Sequence, residues 1–304
     1  MTRLPTCAAG LFSEPPAVWS PPPLGPGARA LVLGVGGGCD VFAAYALSQL
    51  WSRTAARGAL VMYANCIGER KLGEGHAERA PHLWAVPPTP RPLEPGEDGY
   101  GTTVLEQSVP RGPEGSPLLF VVPHGGSNVQ GATADDVPRL TAANSAAIHG
   151  ALRALRVSEI LAVDCGGDVL TGGLDFAGDV ELGRDRQVLH ALQTSGIPFT
   201  LLVLGPGCDA ESSVPAMTAA VRAAAERGEL VGVLPLDEVA PLAASFCAGL
   251  SASRTPNVIN AAVQRPLAAE GEDELCTITR HGTTQRIPCA WLRLGLALKG
   301  MPAA

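Results

Sequence analysis

Short apolar runs recur along the chain, and most of them end in glycine or in a polar residue. Runs of this kind, rich in Val, Leu and Ile, are typical of strands that are buried on both faces. The pattern predicts strands at residues 28–33, 59–63, 118–122, 159–163, 199–204 and 230–234. Helical spacing of apolar residues predicts helices at 41–51, 142–155 and 184–193, and capping residues predict another from Ser212 or Ser213 to Gly228.

The alternation of strand and helix predicts a Rossmann-like α/β fold, in which a mostly parallel sheet has helices on both faces. Near the C-terminus, residues 275–279 and 284–287 flank His281 and Gly282 and predict a β-hairpin. Two stretches fall outside the repeat. Residues 1–27 are rich in proline and predict an extended surface arm outside the core, and residues 86–117 predict an irregular excursion. Residues 28–304 are then expected to form a single ligand-binding domain.

Composition and charge narrow the classes of partner. With 304 residues, 46% of them hydrophobic, the chain is large enough to bury a core without disulfides. The formal net charge of −7 disfavours nucleic acid as a partner, because phosphate neutralisation requires a basic face. No apolar run approaches the ~20 residues that cross a bilayer, so we expect a cytoplasmic protein without a membrane partner. A small-molecule ligand is expected, and association into a homo-oligomer is left open.

The eight cysteines contain no Cys-x-x-Cys pair. Such a scattered distribution favours reduced thiols over a disulfide framework or a zinc ribbon.

Three predicted strands end in the same kind of loop, in which glycines stand beside an aspartate. The loops are Gly34-Val-Gly-Gly-Gly-Cys-Asp40, Asp164-Cys-Gly-Gly-Asp168 and Gly205-Pro-Gly-Cys-Asp209. Because the carboxyl ends of parallel strands lie along one edge, these loops are expected to meet in a ligand-binding crevice. Glycine lets backbone N–H groups approach a ligand, and a helix start favours an anion. The predicted ligand-binding residues are Gly36, Gly37, Gly38, Asn65, Gly125, Gly126, Gly166, Gly167, Gly207 and Asp209.

The aspartates of these loops change the expected ligand, since they would repel a bare phosphate. A divalent cation, a ribose diol or an ammonium group would offset them. We therefore predict that Asp40 and Asp168 hold Mg²⁺ and that they carry the catalysis together with His124. The alternative is that Asp40 and Asp209 only cap the helices that follow them, while Asp164 is buried and structural.

Cysteine offers a second chemistry, because Cys39, Cys165 and Cys208 each lie in one of the three loops. They are expected to be small buried residues, and the alternative is that they supply soft metal ligands or a nucleophile. The dinucleotide fingerprint is incomplete, because Cys39 stands where its third glycine belongs and Asn65 replaces the expected acid. NAD is therefore a weaker candidate cofactor than Mg²⁺.

The residues resemble a family of uncharacterised archaeal and bacterial proteins catalogued as domain of unknown function 1152. The resemblance rests on the loop at residues 31–40, on Val163-Asp-Cys-Gly-Gly-Asp-Val-Leu170 and on Gly205 to Asp209, with a similar tail from Thr277 to Leu298. It would cover roughly residues 28–298, and it departs from the family loop at Cys39. It implies a Rossmann-like fold and a ligand site at these loops, but no reaction.

The leading hypothesis is an enzyme that acts on a nucleotide or another phosphorylated small metabolite, with its reaction unknown. One alternative is a metal- or cysteine-dependent enzyme that uses Cys39, Cys165 and Cys208. Another is a sensor or interaction module without catalysis, which would use the N-terminal arm and the excursion to contact a partner.

Overall fold

The structure, a computed structural model, describes residues 11–12, 16–69, 72, 74–94, 99, 101–111, 115, 117–124, 132–173, 181, 183–266, 274–280 and 282–300. Its strands are β1 (Arg29–Gly34), β2 (Leu60–Gly68), β3 (Ala77–Ala80), β4 (Leu83–Ala85), β5 (Leu118–Val122), β6 (Glu159–Cys165), β7 (Phe199–Leu204), β8 (Leu230–Pro235), β9 (Leu275–Arg280), β10 (Thr283–Pro288) and β11 (Leu294–Lys299). Its helices are α1 (Asp40–Ser52), α2 (Val104–Ser108), α3 (Val137–Leu155), α4 (Asp168–Thr171), α5 (Arg184–Gln193), α6 (Val214–Glu226), α7 (Val239–Ser245) and α8 (Thr255–Gln264). None of the described helices is both long and apolar enough to cross a bilayer.

A nine-stranded sheet forms the centre of the protein, in the order β3-β4-β5-β2-β1-β6-β7-β11-β8. Its middle is parallel, because β1 pairs with β2 and β6, β2 pairs with β5, and β6 pairs with β7. The side chains of β1 are almost completely buried, as the apolar run predicts for a central strand. A mostly parallel α/β sheet is therefore confirmed. The sequence pattern did not predict β11, which is antiparallel to both β7 and β8.

The order of the strands reverses direction at β1. Along the chain, β2 and β5 extend the sheet on one side of β1, and β6 and β7 then extend it on the other side. At such a point, the chain segments that follow the two adjacent strands lead in opposite directions. In α/β folds this arrangement leaves a crevice outside the carboxyl ends of those strands. Here that point lies between β1 and β6, so a ligand crevice is expected outside the carboxyl ends of these two strands.

The strand β2 runs further than its sequence pattern predicts. It continues to Gly68, because its second half pairs with β5. Asn65 therefore lies within the strand, opposite Gly34, rather than in a loop after it. The predicted irregular excursion also contains the short helix α2, whose Val104 and Leu105 are buried in the core.

The described part of the N-terminal arm, residues 11–12 and 16–27, contacts the protein, which corrects the expectation that the arm lies outside the core. Leu24 is buried, and Trp51 Nε1 donates a hydrogen bond to the carbonyl of Pro22 at 2.7 Å. Trp19 N donates to Val233 O at 2.7 Å, and Val233 N donates to the carbonyl of residue 17 at 2.9 Å. The arm thereby supplies backbone partners to β8, the edge strand of the sheet.

The predicted C-terminal hairpin is confirmed as the antiparallel pair β9 and β10, which forms a sheet of its own. A disulfide joins Cys276 and Cys289 at its base, so the expectation that the thiols are all reduced is wrong. Cys276 lies opposite Ile287, and Cys289 is two residues further along, within reach across the hairpin. Spacing across a turn, rather than a Cys-x-x-Cys pair, was the signal for this bond.

Candidate functional site

Carboxylates from several elements meet at the carboxyl ends of β6 and β7. In a first group, one carboxylate oxygen from each of Asp164, Asp168 and Asp185 lies within 4.8 Å of the other two. In a second group, the same is true of one carboxylate oxygen from each of Asp168, Asp209 and Glu211. We call these five residues the carboxylate cluster. Asp168 belongs to both groups, so the structure places this predicted metal ligand where a cation could be shared or bound on either side.

Asp164 is the most unusual member of the cluster. It is 2% exposed, and its Oδ2 is buried without a hydrogen-bond partner among the described residues. Burial and the negative charges of Asp40 and Asp185 raise its pKa well above the ordinary value. Burial and the charge of Asp164 likewise raise the pKa of Asp168. Carboxylates in this state take up protons or a cation.

Asp40 lies beside the carboxylate cluster, outside both groups of ligand oxygens. Its Oδ2 accepts a hydrogen bond from Gly36 N at 2.9 Å, and its Oδ1 accepts one from Cys165 N at 3.3 Å. Burial and the charge of Asp185 raise the pKa of Asp40 to about 7. Asp40 therefore fastens the loop after β1 to the end of β6, which is a different role from capping α1.

The loop of residues 35–39, which we call the glycine loop, is covered on one side by Arg184. Arg184 Nη2 donates a hydrogen bond to the carbonyl of Gly36, and its Nε is buried without a partner among the described residues. A Cβ on Gly37 would lie 2.5 Å from the carbonyl oxygen of Cys66 and 3.3 Å from the guanidinium, so glycine is required there. At Gly38 an added Cβ would meet no described atom within 4 Å. The backbone is therefore open to a ligand at Gly38.

The predicted ligand-binding glycines after β6 and β7 are used for close packing. An added Cβ would lie 1.8 Å from Asp209 Oδ2 at Gly166, 2.4 Å from a methionine of α6 at Gly167, and 2.7 Å from Ile287 Cδ1 at Gly207. All three glycines have a positive φ, between 83° and 128°. They allow neighbouring groups to approach the strand ends, and Gly166 in particular makes room for the carboxylate of Asp209.

Asn65 supports the glycine loop from within β2. It is fully buried, and its Nδ2 donates hydrogen bonds to the carbonyl of Gly38 at 3.2 Å and to Glu106 Oε1 at 2.7 Å. Glu106 comes from α2, so part of the excursion between β4 and β5 helps to position the loop. No sequence pattern predicts this role, because Glu106 is a single acid in a short segment far from the glycine motif.

His124 follows β5 and is held through its backbone. Its N–H donates to Asn144 Oδ1 at 2.9 Å, and Asn144 Nδ2 donates to Gln187 Oε1 at 2.7 Å. Gln187 belongs to α5, so this network connects the end of β5 with the helix that carries part of the carboxylate cluster. The imidazole of His124 belongs to neither group of candidate metal ligands. Residues 125 and 126, which were predicted to bind the ligand, lie outside the described residues.

The three cysteines of the loops are buried free thiols. Among the described residues, the groups of three or more ligand atoms within 4.8 Å contain carboxylates only, so Cys39, Cys165 and Cys208 do not form such a group. Burial raises the pKa of Cys165 and of Cys208. Cys39 differs from them, because a hydrogen bond with Cys247 and the positive charges of two arginines lower its pKa.

Sequence reasoning found part of the carboxylate cluster and missed the rest. The sequence predicts Asp168 and Asp209 as site residues, gives a buried structural role for Asp164 as an alternative, and does not predict Asp185 or Glu211. Asp185 lies in the first turn of a predicted helix, and this position is its only notable feature in the sequence. Acidic residues are common in a first turn because they interact favourably with the helix dipole, so the position does not indicate a site. Glu211 follows Asp209 by two residues, beyond the recurring motif.

Comparison with protein-family models and with curated protein sequences found no match. The resemblance to the uncharacterised family therefore stays a prediction.

Proposed function

We propose that this protein is an enzyme that binds Mg²⁺ or Mn²⁺ through Asp164, Asp168 and Asp185 and acts on a phosphorylated small metabolite, such as a nucleotide. The observation that carries the proposal is the buried Oδ2 of Asp164, which has no hydrogen-bond partner among the described residues and belongs to a group of three carboxylates. Keeping a buried carboxylate such as that of Asp164 charged is costly, and a hard divalent cation with oxygen ligands offsets that cost.

Positive charge beside the proposed cation site supports a phosphorylated ligand. The glycine loop precedes α1, whose N-terminus carries a partial positive charge, and Arg184 adds a full one. The open space at Gly38 gives a phosphate access to the backbone there. A divalent cation next to such a site polarises a phosphoryl oxygen and orients it for reaction.

The fold supports the same location. The helices form two packed groups. In one group α7 contacts both α1 and α8, and in the other α3 contacts α5. Helices that cover the two faces of a Rossmann-like sheet would form two such groups. The glycine loop and Asp164 flank the crevice between β1 and β6. In this proposal Asp168 acts at the cation, Asp40 holds the loop, and His124 is a candidate acid or base after β5.

Titration of Mn²⁺ into EDTA-treated protein tests the cation site. We expect Asp164→Asn to lower the Mn²⁺ affinity by about a hundredfold, roughly 3 kcal/mol. Asp135→Asn removes the same charge from an exposed position and is expected to leave the affinity unchanged. Absence of Mn²⁺ binding by the wild-type protein, or equal affinity in Asp164→Asn, would refute the proposal.

A ligand that brings its own positive charge is the second candidate, and the excess of carboxylates at this edge favours it. S-adenosylmethionine has a sulfonium, an ammonium group and a ribose diol, each of which suits a carboxylate. Native mass spectrometry of freshly purified protein, followed by titration of the EDTA-treated protein with S-adenosylmethionine and with ADP plus Mn²⁺, separates the two. Binding of S-adenosylmethionine without metal would select this candidate over the first.

Turnover distinguishes an enzyme from a sensor. Incubation of the protein with the co-purified metabolite and Mn²⁺ is expected to yield a product, and binding without any product would favour the sensor alternative.

A further inference from the structure

The backbone of His124 is held by a side chain that takes the place of a neighbouring strand. The pairing of β5 with β2 ends at Val122, opposite Gly68, so His124 lies beyond this ladder. Asn144 Oδ1 accepts a hydrogen bond from His124 N at 2.9 Å, and Asn144 Nδ2 donates one to the carbonyl of His124. One amide group of α3 therefore fixes both backbone polar groups of His124, as the peptide groups of a paired strand would.

Gln187 connects this contact with α5. Its Oε1 accepts a hydrogen bond from Asn144 Nδ2 at 2.7 Å, and its Nε2 donates one to Thr141 Oγ1 at 2.9 Å. Thr141 and Asn144 are three residues apart on α3, so they meet Gln187 from the same side of that helix. Asn144 is fully buried and Gln187 is 2% exposed. Buried amides are costly unless they are hydrogen-bonded, and a satisfied buried network fixes one arrangement of its members.

The first turn of α5 also reaches the proposed site. Gln187 follows Asp185 by two residues and Arg184 by three. Arg184 donates a hydrogen bond to the carbonyl of Gly36, and both carboxylate oxygens of Asp185 lie 3.2 Å from the point that a Cβ on Gly36 would occupy. Asp185 belongs to the first group of the carboxylate cluster. The same turn of helix is therefore joined to the glycine loop, to the carboxylate cluster and, through Asn144, to the end of β5.

We propose that Asn144 and Gln187 are positioning residues of the proposed site, which couple a cation on Asp185 to the position of His124. This inference rests on the proposed function. A cation held by Asp185 restrains the first turn of α5, and the buried hydrogen bonds pass that restraint to the backbone of His124. An acid or base is efficient only in the correct place relative to the reacting atoms. The network thereby places a candidate acid or base when the cation binds.

Amide hydrogen exchange at His124 tests this coupling, because its N–H makes the last hydrogen bond of the network. The measurement uses EDTA-treated full-length protein, without metal and with saturating Mg²⁺, and NMR follows the single amide. We expect Mg²⁺ to slow exchange at His124 about fivefold, the lower end of the usual coupling between two sites. The amide of Trp19 donates to Val233 O at the opposite edge of the sheet, so it is the internal control and should be unaffected.

Gln187→Met breaks the network with a side chain of similar size. It should abolish the effect of Mg²⁺ on exchange at His124. Because coupling is reciprocal, the Mn²⁺ affinity of this variant should fall by the same factor of about five, far less than in Asp164→Asn. Gln193→Met makes the same change at the other end of α5 and is the matched control, which should keep both the slowing and the affinity.

A second variant guards against misfolding of Gln187→Met. Gln187→Asn keeps an amide in the buried position but is one methylene shorter, so it no longer reaches Asn144 Nδ2. It is expected to remove the effect of Mg²⁺ on His124 as Gln187→Met does.

The outcomes separate the coupling from the cation site. Three results would overturn the coupling and leave the cation site standing: Mg²⁺ binds without slowing exchange at His124, exchange at Trp19 slows equally, or the slowing persists when Gln187 is replaced. Absence of Mg²⁺ and Mn²⁺ binding by the wild-type protein would overturn the proposed function and the coupling with it.

Discussion

The loops that follow β1 and β7 are alike in sequence, with glycines before a cysteine and an aspartate, but their surroundings differ. After β7, added Cβ atoms on Gly205 and Gly207 would lie 2.6 Å from Ile259 and 2.7 Å from Ile287. After β1, Gly38 also has a positive φ, of 54°, yet no described atom would lie within 4 Å of its Cβ. One loop therefore uses glycine to pack against neighbours, whereas the other leaves part of its backbone accessible.

This difference shows what a recurring glycine–aspartate motif means at the edge of a sheet. Several chain segments crowd together where parallel strands end, so glycine is needed there for packing whether or not a ligand binds. A ligand site is indicated only where open space and charge coincide with the glycine. By that criterion the glycine loop after β1 is the stronger candidate.

The largest expected effect concerns Asp40, the acid that ends the glycine loop. Its folded pKa of about 7 lies above the ordinary value of 3.8, so the folded state binds a proton more tightly than the unfolded state. The contribution of Asp40 to the free energy of unfolding is therefore greatest below pH 4. It falls by up to about 4 kcal/mol as the pH rises from 4 to 7. Chemical unfolding of EDTA-treated protein across this range measures the decline. Asp40→Asn should remove the part of this decline that Asp40 contributes, while Asp164 and Asp168, whose pKa values are also raised, contribute the remainder. An unchanged pH profile in this variant would contradict the assignment.

The packing role of the loop after β7 predicts the next largest effect. Gly207→Ala should lower the free energy of unfolding by about 3 kcal/mol, because it combines a positive φ of 83° with a clash against Ile287. Gly228→Ala has a φ of 70° in open space and is the matched control, with an expected loss of about 1 kcal/mol. If denaturant unfolding shows the same loss of stability in Gly207→Ala and Gly228→Ala, the contact with Ile287 is relieved at no cost. The proposed difference between the loop after β7 and the loop after β1 would then be weaker.

Much of the fold, but less of the site, could be predicted from the sequence. Apolar runs located β1, β5, β6, β7 and β8, because burial on both faces leaves a strong pattern. The carboxyl-end loops followed from the parallel order, but Asp185 and Arg184 come from α5, whose approach to the glycine loop depends on tertiary packing. The disulfide was missed because its spacing has meaning only once the register of the hairpin is known.

The open position in the glycine loop predicts a smaller effect on stability and a specific effect on binding. Gly38→Ala should lower the free energy of unfolding by about 1 kcal/mol, as in Gly228→Ala, because both are strained only by their positive φ. In addition, Gly38→Ala should weaken binding of ADP plus Mn²⁺ by about tenfold, since its methyl group enters the proposed phosphate space. Gly228→Ala should leave that binding unchanged. If calorimetry shows the same ADP affinity in both variants, the ligand does not approach Gly38.

The smallest expected effect is a difference in reactivity between the cysteines of the two loops. Cys39 and Cys208 are both buried, but a hydrogen bond with Cys247 and the charge of Arg254 lower the pKa of Cys39, whereas burial raises that of Cys208. Because the thiolate is the reactive form, iodoacetamide at pH 7.5 should alkylate Cys39 about fivefold faster than Cys208. Mass spectrometry of the labelled peptides gives both rates. Cys247→Ala should slow alkylation of Cys39 toward the rate of Cys208, and an equal rate for both thiols in the wild-type protein would mean that the two loops differ in space and not in charge.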